Sequence, residues 1–106
     1  MAASTGTRRY PRMKSPAGLC VAWQTASQRS VSFVKTLGLG GLFIRAKEPL
    51  AAGTIIQLLI DIPGGGVRGR AIVRNIKASE GMGLGIVSMS PEDRARLSSF
   101  LSHLPS

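Results

Sequence analysis

The stretch TIIQLLIDIPGGGVRGRAIV, residues 54–73, reads as two β-strands joined by a tight turn. Thr54 to Ile62 is rich in β-branched residues and is interrupted only by Gln57 and Asp61, the composition of a strand with a buried face. Pro63-Gly64-Gly65-Gly66 follows, and consecutive glycines permit the positive φ that hairpin turns demand. Beyond the turn Val67, Gly69, Ala71 and Val73 share one parity, while Arg68, Arg70, Ile72 and Arg74 share the other. An antiparallel hairpin is expected, apolar on its inner side and basic on its outer side.

The same pattern extends in both directions. Towards the C-terminus, Met82, Leu84 and Ile86 alternate with Gly83 and Gly85 in a further strand, where missing side chains point to close backbone approach or a bend. Towards the N-terminus, Leu19 to Thr25 and Ser30 to Thr36 are short strand-like segments, and Leu42, Phe43 and Ile44 form another after the turn glycines Gly38, Gly40 and Gly41. After Met89 the period changes. Ser90 is placed as an N-cap, Pro91 takes the first helical position, and Glu92 and Asp93 supply acidic groups to the first turn. Leu97, Phe100, Leu101 and Leu104 then recur at i, i+3, i+4 and i+7, one apolar stripe able to cover an opening in a small barrel. The expected fold is mainly β, a six-stranded antiparallel barrel with a C-terminal α-helix.

With 106 residues the chain makes one ordinary domain. Residues 1–15 lack apolar periodicity and read as a flexible basic arm; residues 16–106 form the barrel domain. The net charge of +9 excludes an acidic metal cage and points to anionic partners. Arg8, Arg9, Arg12 and Lys14 concentrate that charge on the arm, and no Asp or Glu precedes Glu48. No zinc motif, signal peptide or membrane-length apolar run is present, so no metal or cofactor is expected, and the cytoplasm is the expected location.

Enzyme chemistry lacks its parts. The acidic residues form no positioned pair, Cys20 and His103 have no catalytic partners, and the glycine clusters match neither a dinucleotide fingerprint nor a P-loop. Cys20 is expected to be a buried thiol, and His103 a donor or charge at the helix C-terminus. Trp23, Phe33, Phe43 and Phe100 fall at core-like positions, which leaves Tyr10 as the surface aromatic and makes a general nucleic-acid binder a poor fit. Binding remains. Arg8 and Arg12, four apart on an arm stiffened by Pro11, can bring two guanidinium groups to one ligand, where each can fork onto guanine O6 and N7, pair with phosphate or stack on a purine.

Arg8-x-x-x-Arg12, then Thr36-Leu37-Gly38-Leu39-Gly40-Gly41, then Gly81-Met82-Gly83-Leu84-Gly85-Ile86 and Ser90-Pro91-Glu92-Asp93-Arg94 together resemble the PilZ domain over essentially the whole chain. The resemblance implies a bacterial barrel that receives cyclic di-GMP through an R-x-x-x-R arm and a [D/N]-x-S-x-x-G motif. Arg8 and Arg12 match the first motif, with Arg9 as a secondary contact. In the second, Gly41 matches, Thr36 stands for Asp or Asn, and Gly38 stands for Ser. At ~1–3 kcal/mol per lost hydrogen bond, these replacements would weaken binding by one to a few factors of ten. The implied activity is ligand capture that orders the arm and signals to a partner protein. The alternative is a PilZ-like adaptor in pilus or motility signalling that binds no nucleotide.

Overall fold

The computed structural model describes residues 12–104. Among them are seven strands and one helix: β1 (Met13–Lys14), β2 (Cys20–Gln24), β3 (Arg29–Leu37), β4 (Gly41–Arg45), β5 (Ile55–Ile62), β6 (Gly65–Lys77), β7 (Gly81–Met89) and α1 (Pro91–Ser102). Strands β3, β2, β5, β6, β7 and β4 follow one another in the sheet, and β4 pairs back onto β3 to close a six-stranded antiparallel barrel. This is the architecture the strand pattern predicts. The end of the expected arm is itself a strand: β1 lies against β3, with Met13 opposite Leu37 and Lys14 opposite Thr36. Ser15 extends that attachment, donating its N–H to the Lys35 carbonyl and its hydroxyl to the Val34 carbonyl.

The hairpin forms as its sequence requires. Ile62 faces Gly65 across a turn made by Pro63 and Gly64, with positive φ at Gly64 (95°) and Gly65 (132°). From it Val67, Ala71 and Val73 enter the core and Arg68, Arg70 and Arg74 face outward. Val21, Leu37, Leu42, Ile44, Ile60 and Leu84 complete a core from which water is excluded. Each such side chain contributes about 1.5–3 kcal/mol on leaving water.

Helix α1 begins at the expected cap. The Ser90 hydroxyl accepts the Asp93 N–H at 3.1 Å, and Pro91 occupies the first turn, where its missing N–H costs nothing. The Asp93 carboxylate reaches across to β6, accepting the Arg68 N–H at 3.1 Å and the Arg96 guanidinium at 2.7 Å. Leu97 and Leu101 join the barrel core, with Phe100 and Leu104 at its margin. His103 is the C-cap, and its Nδ1 lies 2.7 Å from the Ser99 carbonyl oxygen.

Three side chains depart from their expected places. Cys20 is half-exposed, its Sγ 3.5 Å from the Gly18 carbonyl oxygen. Phe33 is 57% exposed because Ser32, not Phe33, points inward, where its hydroxyl accepts the Trp23 indole N–H at 3.0 Å. An indole N–H buried without an acceptor would cost about 1–3 kcal/mol, comparable to what one apolar side chain gains by burial, and Ser32 at the inner position removes that cost. Phe43 lies on the outer surface between the buried Leu42 and Ile44. Tyr10 is therefore not the sole surface aromatic, and Tyr10 itself lies outside the described residues.

Candidate functional site

The outer face of β3, β4, β7 and β6 gathers aromatic and cationic side chains in one place, over backbone that they bury. Its floor is made by glycines. Gly81, Gly83 and Gly85 occupy the outward positions of β7, opposite Arg45, Phe43 and Gly41 of β4. None of these glycines has positive φ, so their role is space, not turn geometry. A Cβ at Gly81 would collide with the Ile44 carbonyl and stand 2.7 Å from the Phe43 ring, and one at Gly85 would collide with the Arg74 side chain. At Gly83 a Cβ would meet Asn75 and Phe43 only at ordinary contact distance and at Gly85 the neighbour is a side chain, so close backbone approach, one of the two readings open from the sequence, is found at Gly81. The same holds at Gly41, which begins β4 rather than making the turn: a Cβ there would overlap the Leu84 carbonyl.

The side chains over this floor carry the chemistry. Register places Lys14, Thr36, Phe43, Gly83 and Asn75 in one row across five strands. The Phe43 ring is flanked by two ammonium groups, Lys35 Nζ at 6.0 Å and Lys77 Nζ at 5.9 Å from its centroid. Glu80 answers one of them in an exposed 3.4 Å ion pair with Lys35. Lys35 is the extra residue where the β3–β4 ladder slips, Val34 pairing with Ile44 and Thr36 with Phe43. The slip puts Thr36 as well as Lys35 beside Phe43 on the outer face, where unbroken alternation from Val34 would place Lys35 alone.

Arg12 reaches the same face. Its Nη2 lies 2.8 Å from the position a Gly41 Cβ would take. Gly38 is buried, and its N–H donates to the Gly41 carbonyl at 2.9 Å, closing the turn between β3 and β4. Of the residues singled out from sequence, the structure thus brings Arg12, Thr36, Gly38 and Gly41 together; Arg8 and Arg9 lie outside the described residues. Sequence reading missed Phe43, Lys35, Lys77, Arg74 and Asn75. The signal available for them was the glycine alternation of β7, which marks an outer face that neighbouring side chains lie across.

A family model for the PilZ domain matches residues 6–103. The chain belongs to the PilZ domain family. Solved PilZ structures share its fold at low identity. The PilZ domain of YcgR from Escherichia coli, solved with c-di-GMP, superposes with a TM-score of 0.73 at 18% identity, covering 92% of this chain and 91% of that one. The inhibitor of motility MotI/DgrA from Bacillus subtilis gives 0.75 at 20% identity over 90% of this chain, and the K. pneumonia MrkH–c-di-GMP complex gives 0.72 at 17% over 92%. This PilZ chain spans 49% of MotI/DgrA and 52% of MrkH, about half of each. No curated protein matches it by sequence. Among the described residues of the PilZ chain no group of three or more His, Cys, Asp or Glu could hold a metal ion, and no helix is long and apolar enough to cross a membrane.

Proposed function

We propose that this PilZ domain is a non-enzymatic receptor for cyclic di-GMP, which it holds on the outer face of β3, β4 and β7. One observation carries the reading: the Arg12 guanidinium stands beside Gly41, on the face that also presents Thr36 and the lysine-flanked Phe43 ring. The ligand has two purine faces, two guanine edges and two phosphates. A guanidinium can fork onto O6 and N7 or onto phosphate, an exposed ring offers a stacking surface, and ammonium groups draw phosphate. Gly83 lets the Phe43 ring and the Asn75 side chain close over the sheet, and Asn75 adds an amide donor and acceptor beside the ring.

Arg8 and Arg9 complete the cationic set from the arm, and Thr36 and Gly38 border the site with one hydroxyl and with backbone. Capture orders the arm over the barrel, and the altered surface is read by a partner protein. Two structures of similar fold, those of YcgR and MrkH, hold c-di-GMP, which favours this ligand over other anions. The replacement of the family's acidic and hydroxyl residues by Thr36 and Gly38 favours a second reading, an adaptor that binds no nucleotide.

Calorimetric titration at near-physiological salt separates the two, with GTP and a short single-stranded RNA as controls. Saturable heat with cyclic di-GMP alone is the expected result. Absence of heat up to high micromolar dinucleotide overturns the receptor reading and leaves the adaptor.

A further inference from the structure

The β6–β7 ladder slips within this face: Val73 pairs with Leu84 and Asn75 with Gly83, so Arg74 is the extra residue. Unbroken alternation from the buried Val73 would set Arg74 opposite Gly83. The bulge gives that place to Asn75 and re-aims Arg74 along β7, where a Cβ at Gly85 would overlap its Nε and stand 2.9 Å from Cδ and 3.1 Å from Cζ. A side chain rooted on β6 thus lies across β7. Gly85 pairs with Gly41 of β4, the glycine that Arg12 covers with Nη2 2.8 Å from the missing Cβ. Cross-strand partners hold their Cβ positions about 5 Å apart, so two guanidiniums, one from β6 and one from the residue before β1, meet over a single pair of glycines.

The Arg74 guanidinium has no hydrogen-bond or ion-pair partner among the described residues, where Glu80 is engaged by Lys35 and Asp93 by Arg96. Two like charges held this close favour a group that carries a full negative charge, because a neutral guanine edge would leave their repulsion standing. A phosphodiester supplies that charge and two non-bridging oxygens, one for each guanidinium. The spacing along β7 agrees. Gly83, under Phe43 and Asn75, is two residues from Gly85, about 7 Å along the strand, a separation that one nucleotide covers between its phosphate and its base.

We infer that Arg74 is a ligand-contacting residue: with Arg12 it brackets one phosphodiester, which, resting on the receptor reading, is one of the two in cyclic di-GMP. The bracket assigns both arginines to phosphate and leaves the base to the Phe43–Asn75 end of the face.

The side-chain Nε–H signals of Arg12 and Arg74, assigned by their loss in Arg12→Lys and Arg74→Lys, are followed in the full chain by nitrogen–proton correlation spectroscopy at mildly acid pH. Both should shift on addition of cyclic di-GMP. In calorimetry Arg74→Ala should weaken binding about tenfold at an undiminished thermal midpoint, with Arg74→Lys, which keeps the charge, recovering part of the loss and Arg74→Gln, which does not, recovering none. Dimethyl phosphate, a phosphodiester without a base, should move the same two signals at millimolar concentration, and guanosine should leave them in place. Cyclic di-GMP that binds without shifting Arg74, or with equal affinity in Arg74→Ala, overturns the inference and leaves the receptor standing. If cyclic di-GMP gives no heat, the receptor reading fails by itself and dimethyl phosphate decides the bracket: no shift at Arg74, or an equal shift from guanosine, overturns it.

Discussion

The Arg12 guanidinium occupies the space beside Gly41 that a side chain there would claim, with Nη2 2.8 Å from the missing Cβ position. The glycine and the arginine are one feature. Gly41→Ala would force its methyl against both the Leu84 carbonyl and Arg12, lifting β4 from β7. A loss of about 1–3 kcal/mol is expected in urea unfolding. Gly83→Ala is the control: its Cβ meets only Asn75 at 3.4 Å and Phe43 at 3.7 Å, ordinary contacts, so stability should hold.

Arg12→Ala removes charge-assisted hydrogen bonds worth about 1.5–3 kcal/mol, and the affinity for cyclic di-GMP measured by calorimetry should fall about ten- to hundredfold. An unchanged dissociation constant would show that the arm takes no part.

Phe43→Ala tests the outer ring separately from the arm. Phe43 points away from the core, so the thermal midpoint should change little. The affinity should fall by about 1–3 kcal/mol if a base stacks on it. Fluorine labelling of Phe43 gives the same reading without a variant, as a shift on ligand addition.

Thr36→Asp with Gly38→Ser restores the acceptor and the hydroxyl that the family motif carries. Thr36 already sits between Lys14 and Phe43, so a carboxylate there gains a cationic neighbour. Tighter binding by about tenfold or more is expected in the same titration. A neutral result would mean that these positions do not face the ligand.

Asp93 ties helix to barrel and should make stability pH-dependent. The Arg68 backbone N–H, with help from Arg96, holds its carboxyl below the usual aspartate value. A depressed folded-state pKa contributes stability above the unfolded value and loses it as pH falls through the folded one. Asp93→Asn should therefore be less stable than the parent at neutral pH, and the two should converge in acid below the usual carboxylate range, as followed by urea denaturation.

The barrel was legible in the sequence because its strands alternate and its turns carry their own chemistry, as at Pro63-Gly64 and at the Ser90 cap. Facing was legible where polarity alternates, as in Val67 to Arg74, and illegible where it does not. Leu42-Phe43-Ile44 is apolar throughout, so nothing in it says that the middle residue faces out. In β3 the pattern misleads. Val31 and Phe33 look like an inner face, yet the Trp23 indole recruits Ser32 inward, a demand arising on another strand. The slip at Lys35 likewise depends on the pairing partner, which the local sequence does not encode.

The seam between β3 and β4 is short and slipped, and the candidate site straddles it. Barrels open where the fewest ladder bonds must break, so among the six barrel seams amide hydrogen exchange should be fastest across the one joining Val34–Leu37 to Leu42–Ile44. A ligand held by Arg12 on one side and Phe43 on the other would act as a staple across the weakest joint. Its concentration would then set how often the barrel breathes, so occupancy would be written into the closure of that seam.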